Sequence, residues 1–132
     1  MGKFTEIQND VIKRYRIDLC DGTKCKDGDW SRTHAHPKQR RVCKWKQANS
    51  IQSTFDLFHE IGHIEANRSG MRRAEEEYAA TVWAIDTCRE YGLYIPESIV
   101  KVYQNYIDYT TQRGKRRGGS GYGDLDLWKW IP

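Results

Sequence analysis

Phe55-Asp56-Leu57-Phe58-His59-Glu60-Ile61-Gly62-His63-Ile64 is the stretch from which the rest of the chain is read, and it contains H-E-x-x-H. Four residues of α-helix turn about 400° and rise about 6 Å. The imidazoles of His59 and His63 therefore fall on one face, one turn apart, where they can share a tetrahedral metal ion. Zn2+ accepts neutral imidazole at about 2.0–2.1 Å, and a catalytic site keeps three protein ligands and one open position. Glu60 follows His59 directly and is placed to act as general base on a water without being a ligand. The competing reading is an ordinary helix with a histidine pair. Against it, Phe55, Leu57, Phe58, Ile61 and Ile64 are apolar, which points to a buried helix. Burying two histidines and a glutamate is costly unless they are paired or metal-bound. Gly62 costs about 1 kcal/mol against Ala in a helix, which close approach by a neighbouring element would offset.

The third ligand is sought downstream. Asn67-Arg68-Ser69-Gly70 reads as a helix stop with Gly70 at the C′ position, and a second helix is expected from about Arg72 to Tyr91. In an antiparallel hairpin about Gly70, His63 faces Glu77 and His59 faces Thr81. Glu77 shares its stripe with Ala80, Thr81, Ala84 and Cys88, all small, as a close helix interface needs. Glu76 is the second candidate and Glu75 the third, since acidic residues also suit the first turn of any helix. Thr81 is a candidate partner for the outward ring nitrogen of His59.

At these residues the chain resembles the ImmA/IrrE family of zinc metallopeptidases. The similarity lies in Leu57-Phe58-His59-Glu60-Ile61-Gly62-His63-Ile64 and in Glu77-Tyr78-Ala79-Ala80-Thr81-Val82-Trp83-Ala84, and it spans about Arg41 to Pro96. The family pairs an HExxH helix with a helix carrying E-x-x-A-N-x-F-A. On that pattern Glu77 takes the place of the third ligand, Ala80 and Ala84 match, and Trp83 stands for the aromatic. Thr81 stands where the family has Asn, and Gly92-Leu93-Tyr94-Ile95-Pro96 is a loose counterpart of its Leu-Met-Pro end. The resemblance implies a compact zincin-like α+β domain, mostly helical, with a small β-sheet before the HExxH helix. It also implies a Zn2+ cofactor and a protein substrate of the helix-turn-helix repressor kind, in a phage or bacterial setting where cleavage regulates genes.

The 132 residues suit one domain. Hydrophobic content is 38% and mean hydropathy −0.86, so the core is small. Five Trp and eight Tyr enlarge it, as residues that bury area while keeping a polar handle. No apolar run reaches the ~20 residues of a membrane span and no signal-peptide h-region is present. The expectation is a cytoplasmic protein, of a bacterial cell or a phage-infected host.

Thr5-Glu6-Ile7-Gln8 is a candidate capping box. Ile7, Val11, Ile12 and Tyr15 then recur at helical spacing, predicting a scaffold helix over about 6–16. From Ile17 to Pro37 turn signals suggest a short hairpin anchored by Trp30. Cys20, Cys25, His34, His36 and Cys43 could supply a second, structural zinc. Reduced cysteines with two loop histidines explain the same residues, and His34 or His36 could instead stabilise an oxyanion. Arg40 to Lys46 reads as a strand, and the resemblance to zincin-like folds implies that it forms the sheet edge on which an extended substrate lies. Asn49 or Ser50 is expected to cap the motif helix.

Five Lys/Arg between Lys38 and Lys46, with Arg113, Lys115, Arg116 and Arg117, make two basic clusters within a net charge of +4. They are read first as solvated faces. Nucleic acid is a secondary partner, and a non-catalytic zinc-containing binding module is the alternative function. Pro96 starts a further helix on which Ile99, Val102, Tyr103, Tyr106 and Ile107 line a core face. Residues 114–123 are Gly-rich, basic and expected to be flexible. The apolar tail over 124–132 (Leu125, Leu127, Trp128, Trp130, Ile131) is expected to dock on the domain.

Overall fold

Ser50 opens the helix that carries the motif. Its hydroxyl accepts from the Ser53 N–H at 3.1 Å, satisfying one donor that a helix start leaves unpaired. The computed structural model describes residues 2–21 and 32–131. The described chain runs α1 (Lys3–Arg14), β1 (Asp18–Cys20), β2 (His34–His36), β3 (Arg41–Cys43), α2 (Ile51–Glu65), α3 (Arg73–Glu90) and α4 (Glu97–Arg116), with a 3-10 turn at Leu127–Trp130. The result is a compact α+β fold, mostly helical, with its small sheet ahead of α2. None of the described helices is long and apolar enough to cross a membrane.

The core forms where α2 meets α3. Phe55, Leu57, Phe58 and Ile61 of α2 pack with Ala84, Ile85 and Cys88 of α3, all buried. Gly62 permits the approach: a Cβ there would lie 2.4 Å from the Ala80 carbonyl oxygen and 2.8 Å from its Cα. No rotamer relieves a clash with backbone. α2 ends at Glu65 with Ala66 as C-cap, so Gly70, at φ +91°, turns the connecting loop rather than occupying C′. Gly92, at φ +69°, does close α3, with Leu93 N–H on the Cys88 carbonyl and Gly92 N–H on the Arg89 carbonyl.

α1 holds the start of α2 in place. It begins at Lys3, three residues before the expected start, with Gly2 as N-cap. Thr5 does not cap it; its hydroxyl donates to the Gly2 carbonyl at 2.8 Å. Gln8, not singled out for burial, is enclosed and donates to the Ala48 carbonyl (2.9 Å) and Thr54 Oγ1 (2.8 Å). Asn49 accepts from Phe4 N–H at 2.9 Å, which leaves the capping of α2 to Ser50.

The sheet differs from the expectation. β3 is not an edge but the central strand, in the order β1-β3-β2, parallel to β1 and antiparallel to β2. Val42 and Cys43 are fully buried, which suits a strand flanked on both sides. β2 turns into β3 through Pro37–Gln39 and a left-handed Arg40, and the hairpin expected between Ile17 and Pro37 falls largely outside the described residues. Trp30 and Cys25 lie outside the described residues. Arg40 donates to the Tyr15 carbonyl at the end of α1 and pairs with Glu65 at the end of α2 (2.5 Å), a cation where two helix dipoles need one.

On α4, Ile99, Val100 and Ile107 are buried, but Val102 is 66% exposed, so the buried stripe lies to one side of the expected face. α4 continues through Gly114 to Arg116. The following glycines lie along Arg72, which donates to the Ser120 carbonyl at 2.6 Å and stacks on Tyr122. The tail docks on its own chain: Leu127 is buried, and its N–H donates to Gln104 Oε1 at 2.7 Å.

Candidate metal centre

Period 3.6 on two antiparallel helices delivers three side chains to one point. His59 Nε2 lies 2.9 Å, and His63 Nε2 3.3 Å, from the same oxygen, Glu77 Oε2. A tetrahedral Zn2+ with bonds of about 2.0–2.1 Å sets neighbouring ligand atoms roughly 3.3 Å apart. The His63–Glu77 separation matches that spacing, the His59–Glu77 separation is shorter, and the ligand atoms of all three residues lie within 4.8 Å of one another. His59 and Glu77 are buried and His63 is half-buried.

The outward partners of the rings set what the inward atoms offer. Thr81 Oγ1 spends its hydrogen on the Glu77 carbonyl (2.7 Å) and lies 3.0 Å from His59 Nδ1, so it accepts a hydrogen bond from that nitrogen. Asn67 Nδ2 donates to the Glu76 carbonyl at 2.9 Å. That contact orients the amide so that its Oδ1 meets His63 Nδ1 at 2.6 Å. Both imidazoles are held as Nδ1–H tautomers with Nε2 lone pairs directed inward. Arg73 engages the other carboxylate oxygen, Glu77 Oε1, at 3.1 Å and leaves Oε2 to the cluster. Two lone pairs and a carboxylate oxygen converging in a buried space fit a divalent cation and fit one another poorly without a positive charge.

A proton is the alternative occupant of that space: placed on Nε2, it lets each imidazole donate to Glu77 Oε2. Burial works against charging Glu77, but the hydrogen bonds from His59 and His63 outweigh it, and its carboxyl is held well below the usual carboxylate range. Burial lowers the pKa of His59 and favours its neutral form. At His63 burial is opposed and overcome by the bond to Glu77, and the pKa is raised. Burial pushes Glu60 up to about 8. Tyr103 lies over His59 with ring centroids 4.7 Å apart and donates to Asp56 Oδ1 at 2.6 Å. Burial and the Asp56 charge keep its hydroxyl protonated.

His59, Glu60, His63 and Glu77 line a cleft of about 430 Å³, with β2 along one wall and Val102, Tyr103 and Tyr106 of α4 on another. That size suits a ligand or peptide side chain. His34 borders the cleft. The other glutamates of the run lie elsewhere: Glu75 accepts from the Arg72 N–H and closes the start of α3, while Glu76 borders the cleft without joining the three-ligand group. His34, His36 and Cys43 form a separate group on the sheet. The basic clusters are partly consumed by structure. Arg40 pairs with Glu65 and Arg41 with Asp18, and Arg113, Lys115 and Arg116 sit in the last turn of α4, where the dipole favours them.

Asn67 and Arg73 were not anticipated. Arg73 lies four residues before Glu77, a spacing that signals an ion pair. Asn67 lies four residues after His63, but in a helix-stop context that already accounted for it. Compared with known proteins, the chain matches no family model, no curated protein and no solved structure.

Proposed function

We propose that this protein is a zinc-dependent peptidase that hydrolyses a specific protein substrate, with His59, His63 and Glu77 as metal ligands and Glu60 as general base. One observation carries the reading: each imidazole donates outward from Nδ1 and turns Nε2 toward a single carboxylate oxygen, beside a glutamate that takes no part in the cluster. Bound there, Zn2+ supplies Lewis acidity, acidifying a water and polarising a carbonyl. Glu60 takes the proton of the attacking water and delivers it to the leaving amine as the C–N bond breaks. Its partial burial makes the ionised carboxylate a stronger base than an exposed one. Asn67, Thr81 and Arg73 keep the ligands oriented, and Asn67 and Arg73 also border the cleft.

β2, rather than β3, borders the cleft, so an extended substrate segment would align along β2 by backbone pairing. The resemblance to ImmA/IrrE peptidases supports a repressor-type regulatory protein as that substrate. The test uses zinc content together with proteolysis of a panel of helix-turn-helix repressors, followed by intact mass. Glu60→Gln is expected to retain zinc while cleavage falls by about 10²–10⁴-fold. His59→Ala is expected to lose both. Undiminished cleavage by Glu60→Gln would remove the mechanism.

A further inference from the structure

The sheet carries a second cluster that the peptidase reading does not use. In the strand register Cys20 on β1 stands opposite Cys43 on β3, and Cys43 stands opposite His34 on β2. Directly paired residues project to the same face of a sheet, and so do residues two apart on one strand. Cys20, Cys43, His34 and His36 therefore share one face, opposite the face that carries Val42. Ligand atoms of His34, His36 and Cys43 lie within 4.8 Å of one another, and the two histidine rings meet edge to face at 4.9 Å. Cys43 is fully buried, His34 is 4% exposed and Cys20 is 7% exposed. Neither cysteine is in a disulfide.

We propose that His34, His36 and Cys43, whose ligand atoms already lie together, bind a second zinc ion with a structural role, and that Cys20, outside that group but next to Cys43 on the same face, turns its thiolate in as the fourth ligand. Two thiolates and two imidazoles are the donor set of closed tetrahedral zinc sites, in which no position is left for water. His34 Nδ1 lies 2.9 Å from the Arg32 carbonyl; donating there leaves Nε2 with its lone pair, the same device that orients His59 and His63. The sheet needs such a tie. Each strand is three residues long, so the ladder holds few hydrogen bonds, and one ion bonded to all three strands fixes their order. β2 also borders the cleft, so this ion would hold the wall along which substrate lies. The inference does not depend on peptidase activity.

Cobalt substitution of the full-length chain separates the two centres, because only the sheet cluster contains sulfur. The metal-free protein titrated with Co2+ is expected to develop a thiolate-to-cobalt charge-transfer band that is displaced by Zn2+. His63→Ala is expected to keep that band, and Cys20→Ser/Cys43→Ser to lose it. Absence of the band in the wild type, or its survival in the double cysteine variant, overturns the proposal. Should the double variant fail to fold, His36→Gln changes a half-buried residue and keeps both thiols. It is expected to weaken cobalt binding at this centre at least tenfold, and unchanged affinity overturns the assignment.

Discussion

Asn67 and Thr81 set how the two histidines face the cluster. Neither belongs to the three-residue cluster, yet each removes the Nδ1 proton from competition and so decides which nitrogen faces inward. Loss of such outward partners typically costs about 10–100-fold in metal affinity. Asn67→Ala and Thr81→Val are each expected to fall in that range by zinc competition titration, with the fold intact by circular dichroism. Affinity equal to wild type in both would mean the rings are oriented by packing alone. Thr81 was legible in the sequence because a hairpin about Gly70 sets it level with His59, and the same register sets Glu77 level with His63. Asn67 was not, because an Asn beyond a helix end has a sufficient local explanation.

The α2–α3 hairpin is the element on which the centre depends, and Gly62 sets its spacing. Its apolar pattern and small-residue stripe belong to one regular period, which is why both helices could be drawn from sequence alone. Gly62→Ala places a methyl against the backbone of Ala80. Overpacking costs about 1–3 kcal/mol, and a clash with backbone belongs at the upper end. The gain in helix propensity returns about 1 kcal/mol. A net loss of about 2 kcal/mol is expected in chemical denaturation, together with weaker zinc binding as His63 and Glu77 part. A stabilised variant would show that the helices can separate without cost. The sheet resisted sequence reading for the opposite reason. Strands of three residues carry too little alternation to reveal a period, and strand order is set by pairing across long separations, so β3 was placed at an edge it does not occupy. Val102 was assigned to the core by a period that does not register the cleft beside α4.

At the scale of the whole molecule, stability rests on a core small for the chain's length, and that core holds a thiol whose burial pH can reveal. Burial pushes the Cys88 thiol up to about 12 from an ordinary value of 9.0. Between those values the unfolded chain gives up the proton while the folded chain retains it, so stability falls as pH rises, by roughly 1.4 kcal/mol per pH unit from this group. Cys88→Ala is expected to flatten the alkaline limb of the stability–pH curve relative to wild type; parallel curves would contradict the burial argument. Docking of the tail through Leu127, with Leu125 and Ile131 packed against the core, follows from the same shortage of core, since these aliphatic residues supply apolar area while Trp128 and Trp130 stay exposed. The Gly-rich segment before it, expected from composition to be flexible, is contacted by Arg72 at Ser120 and Tyr122. The central claim is that His59, His63 and Glu77 hold a metal ion. Elemental analysis of zinc per chain, in wild type and in His63→Ala purified side by side without chelator, tests it most directly. The account predicts one zinc ion fewer per chain in the variant; equal zinc content in the two proteins would contradict it.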